Sequence, residues 1–358
     1  MFQHFILTPF SYRDRERVKK KGQDPLNPKS LEHRLNMFEI SCMPGILNQE
    51  HQDFIWILIV DPALPQKFRN RLKQLISKRP GSYLSDYTPE QEIGKLTWLK
   101  QWIKPETEYI VTTKLDDDDA LYGGFTKYIF DHFSGLAKTA QIPPMLFYGC
   151  KNVVYWDFFW SEKAPLGYQK PWNKTTYPAS GGFSLCCKYP ELNFSIRSFE
   201  HGTFDYLHDE VKIFPLSNPG FEKRIYRRRN MILEAARSST LAWDGLLRQE
   251  NFHLLSTTLP QVVMVNHLDN IQYIRLFTNP EKRVPVVATD TFQGFFIDFI
   301  LAKEFIRKQP RSWRLFFRLL VRHFRFYPDY LKGQNPIKNF VRKIAGIRGI
   351  ISNINNMY

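Results

Sequence analysis

The chain has 358 residues, 43% of them apolar and 15% aromatic, which is enough to fill a sizeable core and argues against a disordered polymer. Lys and Arg outnumber Asp and Glu by 50 to 35, a formal charge of +15, so a polyanionic neighbour is expected: nucleic acid, anionic lipid or a phosphorylated substrate. Cys42, Cys150, Cys186 and Cys187 contain no CxxC and have no matching His spacing, which argues against a zinc knuckle or a disulfide framework and fits a reducing, cytoplasmic compartment.

The opening MFQHFILTPF has no basic leader and no small-residue cleavage site, so residues 2–8 are expected to form a strand stopped by Pro9 and not a signal peptide. Residues 31–42 carry Leu31, Leu35 and Phe38 at helical spacing, with an end expected before Pro44-Gly45. DFIWILIV at 53–60 reads as a buried strand stopped by Asp61-Pro62, and residues 65–78, with Phe68, Leu72 and Leu75, as a helix. Residues 109–115 are a third strand and 120–133 a further helix. This alternation predicts an α/β domain with a mixed, mostly parallel sheet flanked by helices.

Beyond it, residues 145–159 and 183–189 read as irregular or antiparallel strands, with the turn Ala179-Ser180-Gly181-Gly182 between them. Late strands are expected at 212–215 and 261–265, the second followed by Asn266-His267. No run of eighteen apolar residues occurs, so no membrane-spanning helix is expected. The composition changes near residue 289. Residues 307–327 place Arg314, Arg318, Arg322 and Arg325 in a stripe beside Trp313, Phe316, Phe317, Leu320 and Phe324, the pattern of a basic amphipathic helix. The expected division is a catalytic domain over 1–288 and a basic helical region over 289–358, the latter either docked on an anionic membrane surface or packed on the domain.

Asp116, Asp117, Asp118 and Asp119 follow the third strand directly, at the strand end where α/β sheets place their ligands. Four carboxylates crowd together cheaply only around a cation, and oxygen ligands suit a hard divalent ion. With strand alternation, Asp116 and Asp118 face one way and Asp117 the other, a D-x-D spacing able to share Mg²⁺ or Mn²⁺ with a diphosphate. Asp119 reads more plainly as the N-cap or first-turn acid of the helix expected at Ala120.

The run TTKLDDDDAL resembles the TxRLDxDDAL segment of the rhamnosyltransferase family, nucleotide-sugar-dependent enzymes of the GT-A type. FILTPFSYR, RLNMFEISCMPGILNQEHQDFIWILIVD and PASGGFSL resemble it as well, so the similarity extends over roughly residues 1–290. Lys114 stands where the family pattern favours Arg, and Asp117 where a small residue is common.

The resemblance implies a GT-A-like, Rossmann-type fold and a metal-dependent transfer of a sugar, rhamnose by the family's description, from a nucleotide diphosphate to a glycan or lipid-linked acceptor. It implies Asp118 as metal ligand, Asp116 at the ribose or the metal, and His267 completing the metal site. Thr8 and Arg13 on the loop after the first strand, with Asp116 and Asp117, would form the donor-binding set, although no separate task falls to Asp117. For an inverting reaction the general base would be Asp209, with Glu210 second and Asp157 or Glu162 as outside alternatives. Each has a bland alternative: a half-buried His at 267, a solvated Arg at 13, and a solvated helix end at 208–210.

The turn at 179–182 would let the backbone approach an acceptor closely or be a plain tight turn. The aromatic segment 155–160 would stack on sugars or belong to the core. Phosphatases with strand-end aspartates need a Thr or Ser two residues after the second, where this chain has Ala120. Prenyl transferases need their aspartates inside a long helix. A nucleic-acid-binding protein is the non-enzyme alternative, motivated by the charge and by the clusters at 224–229 and 307–325, but it leaves the four aspartates unexplained. A site on the inner face of the membrane fits a cytoplasmic enzyme with a basic tail.

Overall fold

A computed structural model describes residues 1–11, 24–88, 93–139, 142–158, 162–173, 181–198, 204–207, 210–213, 251–255, 257, 259–267, 284–286 and 292–308. The chain forms two compact units. One comprises Met1–Val153, Trp172–Met264 and Gly294–Ile297; the other comprises Val154–Pro171, Val265–Gln293 and Asp298–Tyr358.

The first unit is built on a seven-stranded sheet. β1 (Phe2–Phe10) is an inner strand, flanked by β2 (Ile55–Val60), with β3 (Ser82–Asp86) at the edge beyond it; on the other side come β4 (Tyr109–Lys114), β9 (Ser184–Lys188), β6 (Met145–Cys150) and β12 (Phe252–Leu255). All pairings are parallel except the two made by β9, which runs antiparallel to β4 and β6. This is the mixed, mostly parallel α/β sheet expected.

Strand alternation sorts the side chains. Phe5, Leu7, Ile57, Ile59, Ile110, Phe147, Leu185 and Cys187 line one face and pack with Leu96, Leu99, Leu192, Phe194 and Ile196 in a core cluster. Each such aliphatic or aromatic side chain contributes about 1.5–3 kcal/mol by leaving water, before chain entropy is set against it. On the other face Phe38 stacks on Trp56 at 5.6 Å, and Phe133 lies 4.2 Å from Phe2.

Three expected boundaries are corrected. β1 runs through Pro9 to Phe10, because Leu7 already bonds Leu115 on the β4 side and β4 pairs no further; the N–H that Pro9 lacks would point where, among the described residues, no strand lies. The helix of residues 31–42 does not end before Pro44. α1 (Pro28–Met37) passes into a widened π turn, Phe38–Cys42, and continues as α2 (Met43–Leu47), with Met43 N–H bonded back to Phe38 O. A π turn accommodates a ring that would otherwise strike the carbonyl four residues back.

The third correction concerns the segment after the aspartates. Residues 120–133 are not one helix: Ala120–Leu121 is a short strand, β5, paired antiparallel with β13 (Val262–Asn266), and α4 (Phe125–Lys138) starts after Gly124. Tyr122-Gly123-Gly124 breaks the helical pattern, and Gly123 N–H bonds Gly294 O at 2.8 Å. α3 (Gln66–Ile76) buries Phe68, Leu72 and Leu75 as its spacing predicts. β10 (Phe204–Leu207) and β11 (Glu210–Ile213) form a hairpin, with the second strand starting two residues before the expected one.

In the second unit, β8 (Tyr168–Asn173) pairs with β14 (Val284–Pro285) through Gln169 and Val284. α5 (Phe299–Arg307) is capped by Asp298, which accepts from Leu301 N at 2.9 Å. Trp156, on β7 (Asn152–Asp157), is fully buried against Phe158, Phe292 and Phe299 and donates to Leu166 O at 2.7 Å. The described aromatics of 155–158 are therefore core. The basic stripe at 314–325 lies outside the described residues. Among the described residues no helix is long and apolar enough to cross a membrane.

Candidate metal and donor site

The aspartate run leaves the sheet where β4 ends. Leu115 N–H bonds Leu7 O, fixing the departure point, and Asp119 N–H bonds Asp116 O at 3.1 Å, folding the run into a turn. That turn gathers carboxylate oxygens of Asp116, Asp118 and Asp119 within 4.8 Å of one another, while Asp117 points the other way. Asp119 is buried and belongs to this group, so its expected role as a helix cap is withdrawn; the helix it would have capped begins five residues later.

Asp117 has a partner the sequence did not reveal. Arg34, in the last turn of α1, donates Nε–H to Asp117 Oδ2 at 2.8 Å and reaches Oδ1 through Nη2. Burial pushes the Asp117 carboxyl up to about 7, with Arg34 pulling it down and Asp118 and Asp116 adding to the rise. Burial disfavours the Arg34 charge in turn, but Asp117, then Asp118 and Asp116, outweigh it and raise its pKa above the ordinary value. Arg34 is thus the positive charge behind the run. A signal for it existed: Arg34 lies three residues after Leu31 and four before Phe38, beside the apolar stripe of a buried helix face.

The supporting shell is close-packed. Ser41 Oγ lies 2.9 Å from Asp118 O and 2.7 Å from Met37 O. Burial pushes the Cys42 thiol well above its ordinary value, helped by Asp117, Asp119 and Asp118, so it stays protonated beneath the carboxylates. Gln49 accepts from Thr126 N at 3.0 Å and donates towards Gly45 O and Tyr122 O, tying α2, the loop after β5 and α4 together. A Cβ on Gly181 would sit 3.0 Å from Asp119 Oδ2 and 2.7 Å from Val262 Cγ1, so the turn before β9 closes on the carboxylate group, and only glycine fits there.

The other expected site residues are distributed as follows. Thr8 is fully buried, and its Oγ1 accepts the Trp56 indole N–H at 3.0 Å. Arg13, His208, Asp209, Ala179 and Ser180 lie outside the described residues. Glu210 opens β11 opposite Leu207. His267 is buried in the second unit. Asp157, also in that unit, accepts from Asn266 Nδ2 at 2.7 Å, and Glu162 is exposed.

The carboxylates of Asp116, Asp118 and Asp119 thus gather where β4 ends, at the carboxyl end of a strand, which is where α/β sheets place their ligands. The family model described as "Putative rhamnosyl transferase" matches residues 8–141, a stretch that takes in Arg34 and the whole aspartate run. No curated protein matches the chain.

Among solved structures, S. aureus TarS 1-349 in complex with UDP-GlcNAc is similar at 10% identity, over 96% of this chain and 79% of that one, with a TM-score of 0.35. Mouse xyloside xylosyltransferase 1 is similar at 11% identity, over 83% and 94%, with a TM-score of 0.29.

Proposed function

We propose that the protein transfers a sugar, rhamnose by its family's description, from a nucleotide diphosphate donor to a hydroxyl of a glycan or lipid-linked acceptor, with Mn²⁺ or Mg²⁺ bound at Asp116, Asp118 and Asp119. The observation that carries this reading is the group of three carboxylates within 4.8 Å. An all-oxygen set of this charge fits a hard divalent cation and suits thiophilic metals poorly. Such an ion, when bound, neutralises charge on the departing diphosphate.

The chain's own residues have separable tasks. Asp118 would ligate the ion directly, Asp116 would contact the donor, and Asp119 closes the group from the buried side. Asp117 serves as the anchor that Arg34 grips, holding the turn in shape. Thr8 shapes the end of β1 from inside, where the following loop with Arg13 meets the nucleotide. His267 is proposed as the further metal ligand. Asp209, with Glu210 as the alternative, takes the acceptor proton in an inverting displacement at the anomeric carbon. The basic region over 289–358 holds the enzyme at an anionic inner membrane surface.

Calorimetry with UDP, dTDP and GDP, with and without Mn²⁺, tests the central claim. At least one nucleotide should bind only with metal, and Asp118→Ala should abolish that binding; metal-independent binding, or an unaffected mutant, refutes it. Flotation on anionic liposomes with and without residues 305–358 tests the membrane claim, which equal flotation removes.

A further inference from the structure

Beneath the aspartate edge, three buried side chains on neighbouring strands form a hydrogen-bonded series whose direction is forced. His4 Nε2 lies 2.7 Å from Thr113 Oγ1, Thr113 Oγ1 lies 2.6 Å from Ser184 Oγ, and Ser184 Oγ lies 3.0 Å from the carbonyl oxygen of Gly182. A carbonyl can only accept, so Ser184 commits its single proton to Gly182. Ser184 must then accept from Thr113. Thr113, its own proton committed, must accept from His4. The imidazole therefore carries its proton on Nε2.

The surroundings keep this assignment stable. His4 is 3% exposed, and Thr113 and Ser184 are fully buried. Burial, with His51 and Arg79 adding to it, lowers the His4 pKa to about 3, so the ring is neutral at physiological pH. The register pairs Ile6 with Thr113 and Thr113 with Ser184, which puts all three groups on one face across β1, β4 and β9.

The series ends on a peptide that needs a fixed orientation. Gly182 has φ +70°, and its N–H bonds Lys114 O at 2.9 Å, two residues before Asp116. The residue before it, Gly181, is the one whose backbone closes on Asp119. An unbonded carbonyl at Gly182 would free that peptide plane to turn, and the contact with Asp119 would move with it.

We propose that His4, Thr113 and Ser184 are positioning residues that lock the Gly181-Gly182 turn and, through it, hold Asp119 in the metal group. The proposal rests on the metal-dependent reading above.

Mn²⁺ binding, followed by loss of the free-ion electron paramagnetic resonance signal, is measured for wild type, Thr113→Val and Thr113→Ser, with melting temperatures alongside. Valine keeps the β-branched shape and removes both hydrogen bonds; serine keeps the hydroxyl. Thr113→Val should weaken Mn²⁺ binding about tenfold, as losses behind a metal's ligands do, and Thr113→Ser should bind like wild type.

Unchanged affinity in Thr113→Val, or equal weakening in both variants, overturns the proposal. A wild type that binds no Mn²⁺ overturns the metal-dependent reading and this proposal with it, a result distinct from either. Should Thr113→Val fail to fold, long-range ¹H–¹⁵N spectra of the wild type decide: a His4 proton on Nε2 is required, and one on Nδ1 overturns the series.

Discussion

Arg34 holds Asp117 from behind with two guanidinium nitrogens, Nε–H meeting Oδ2 at 2.8 Å, so the one aspartate of the run outside the group of three carboxylates is the one that anchors the run to α1. Asp117 is 1% exposed while the Arg34 side chain is 26% exposed, which makes the acid the more costly member to leave alone. Arg34→Ala is therefore expected to cost about 3 kcal/mol, towards the lower end for a broken buried pair because Asp117 is able to take up a proton. Adding Asp117→Asn to that variant should recover part of the loss. Urea unfolding of the single and double variants checks both statements, and a loss below about 1 kcal/mol in Arg34→Ala would place this pair with ordinary surface bridges.

Gly45→Ala probes the packing of α2 against β5. The new methyl would lie 3.0 Å from Leu121 O and 3.2 Å from Leu121 N, and these are backbone atoms that cannot swing aside. A destabilisation of about 1–3 kcal/mol is expected, as for other overpacked sites, despite alanine's better helix propensity. Mn²⁺ affinity should fall as well, since Leu121 follows Asp119 by two residues. A stabilised Gly45→Ala protein would show that the helix moves away freely.

Acid sensitivity should trace to two histidines, His4, which is buried, and His253, which is half-buried. Burial is the main cause that lowers His4 from 6.5 to about 3 and His253 from 6.5 to about 4, the second aided by His132. Below pH 6.5 the unfolded chain takes up protons that the folded protein refuses. The stability these groups leave intact above pH 6.5 is therefore lost as the pH falls towards their folded values, at about 1.4 kcal/mol per pH unit for a fully buried histidine. His4→Gln keeps a side-chain N–H donor and cannot titrate. Its urea midpoint should fall less than that of wild type between pH 7 and pH 5, and parallel curves would remove His4 as the cause.

The order of strands and the place of the aspartates were legible in the sequence because both depend on local patterns: FILTPF, IWILIV and YIVTTK are apolar runs stopped by turn residues. What could not be read locally depends on distant partners. Ala120-Leu121 has helical composition and becomes a strand only because Val262 and Val263 lie alongside. Pro44 looks like a helix end until the π turn before it is seen. The strand-end position of Thr8 suggests a place at the nucleotide, whereas the direction of its side chain is set by Trp56, forty-eight residues away. Capping preferences are local and point to Asp119 as a cap, whereas its grouping with Asp116 and Asp118 needs the turn closed by its own N–H.

The reversed strand β9 has a consequence for how the protein comes into being. β9 sits between β4 and β6, and β12 completes the edge beyond β6. On a ribosome releasing the chain from its N-terminus, β1 to β4 can pair early, but β4 keeps an open edge until residues 184–188 emerge and fill it. Gly181 and Gly182 arrive with that strand, so the carboxylates stay uncovered on one side until about half of the 358 residues have been made. Maturation of the acidic cluster is therefore tied to a long-range, late-forming contact, and chains truncated before residue 184 should accumulate as aggregation-prone intermediates with an unpaired β4.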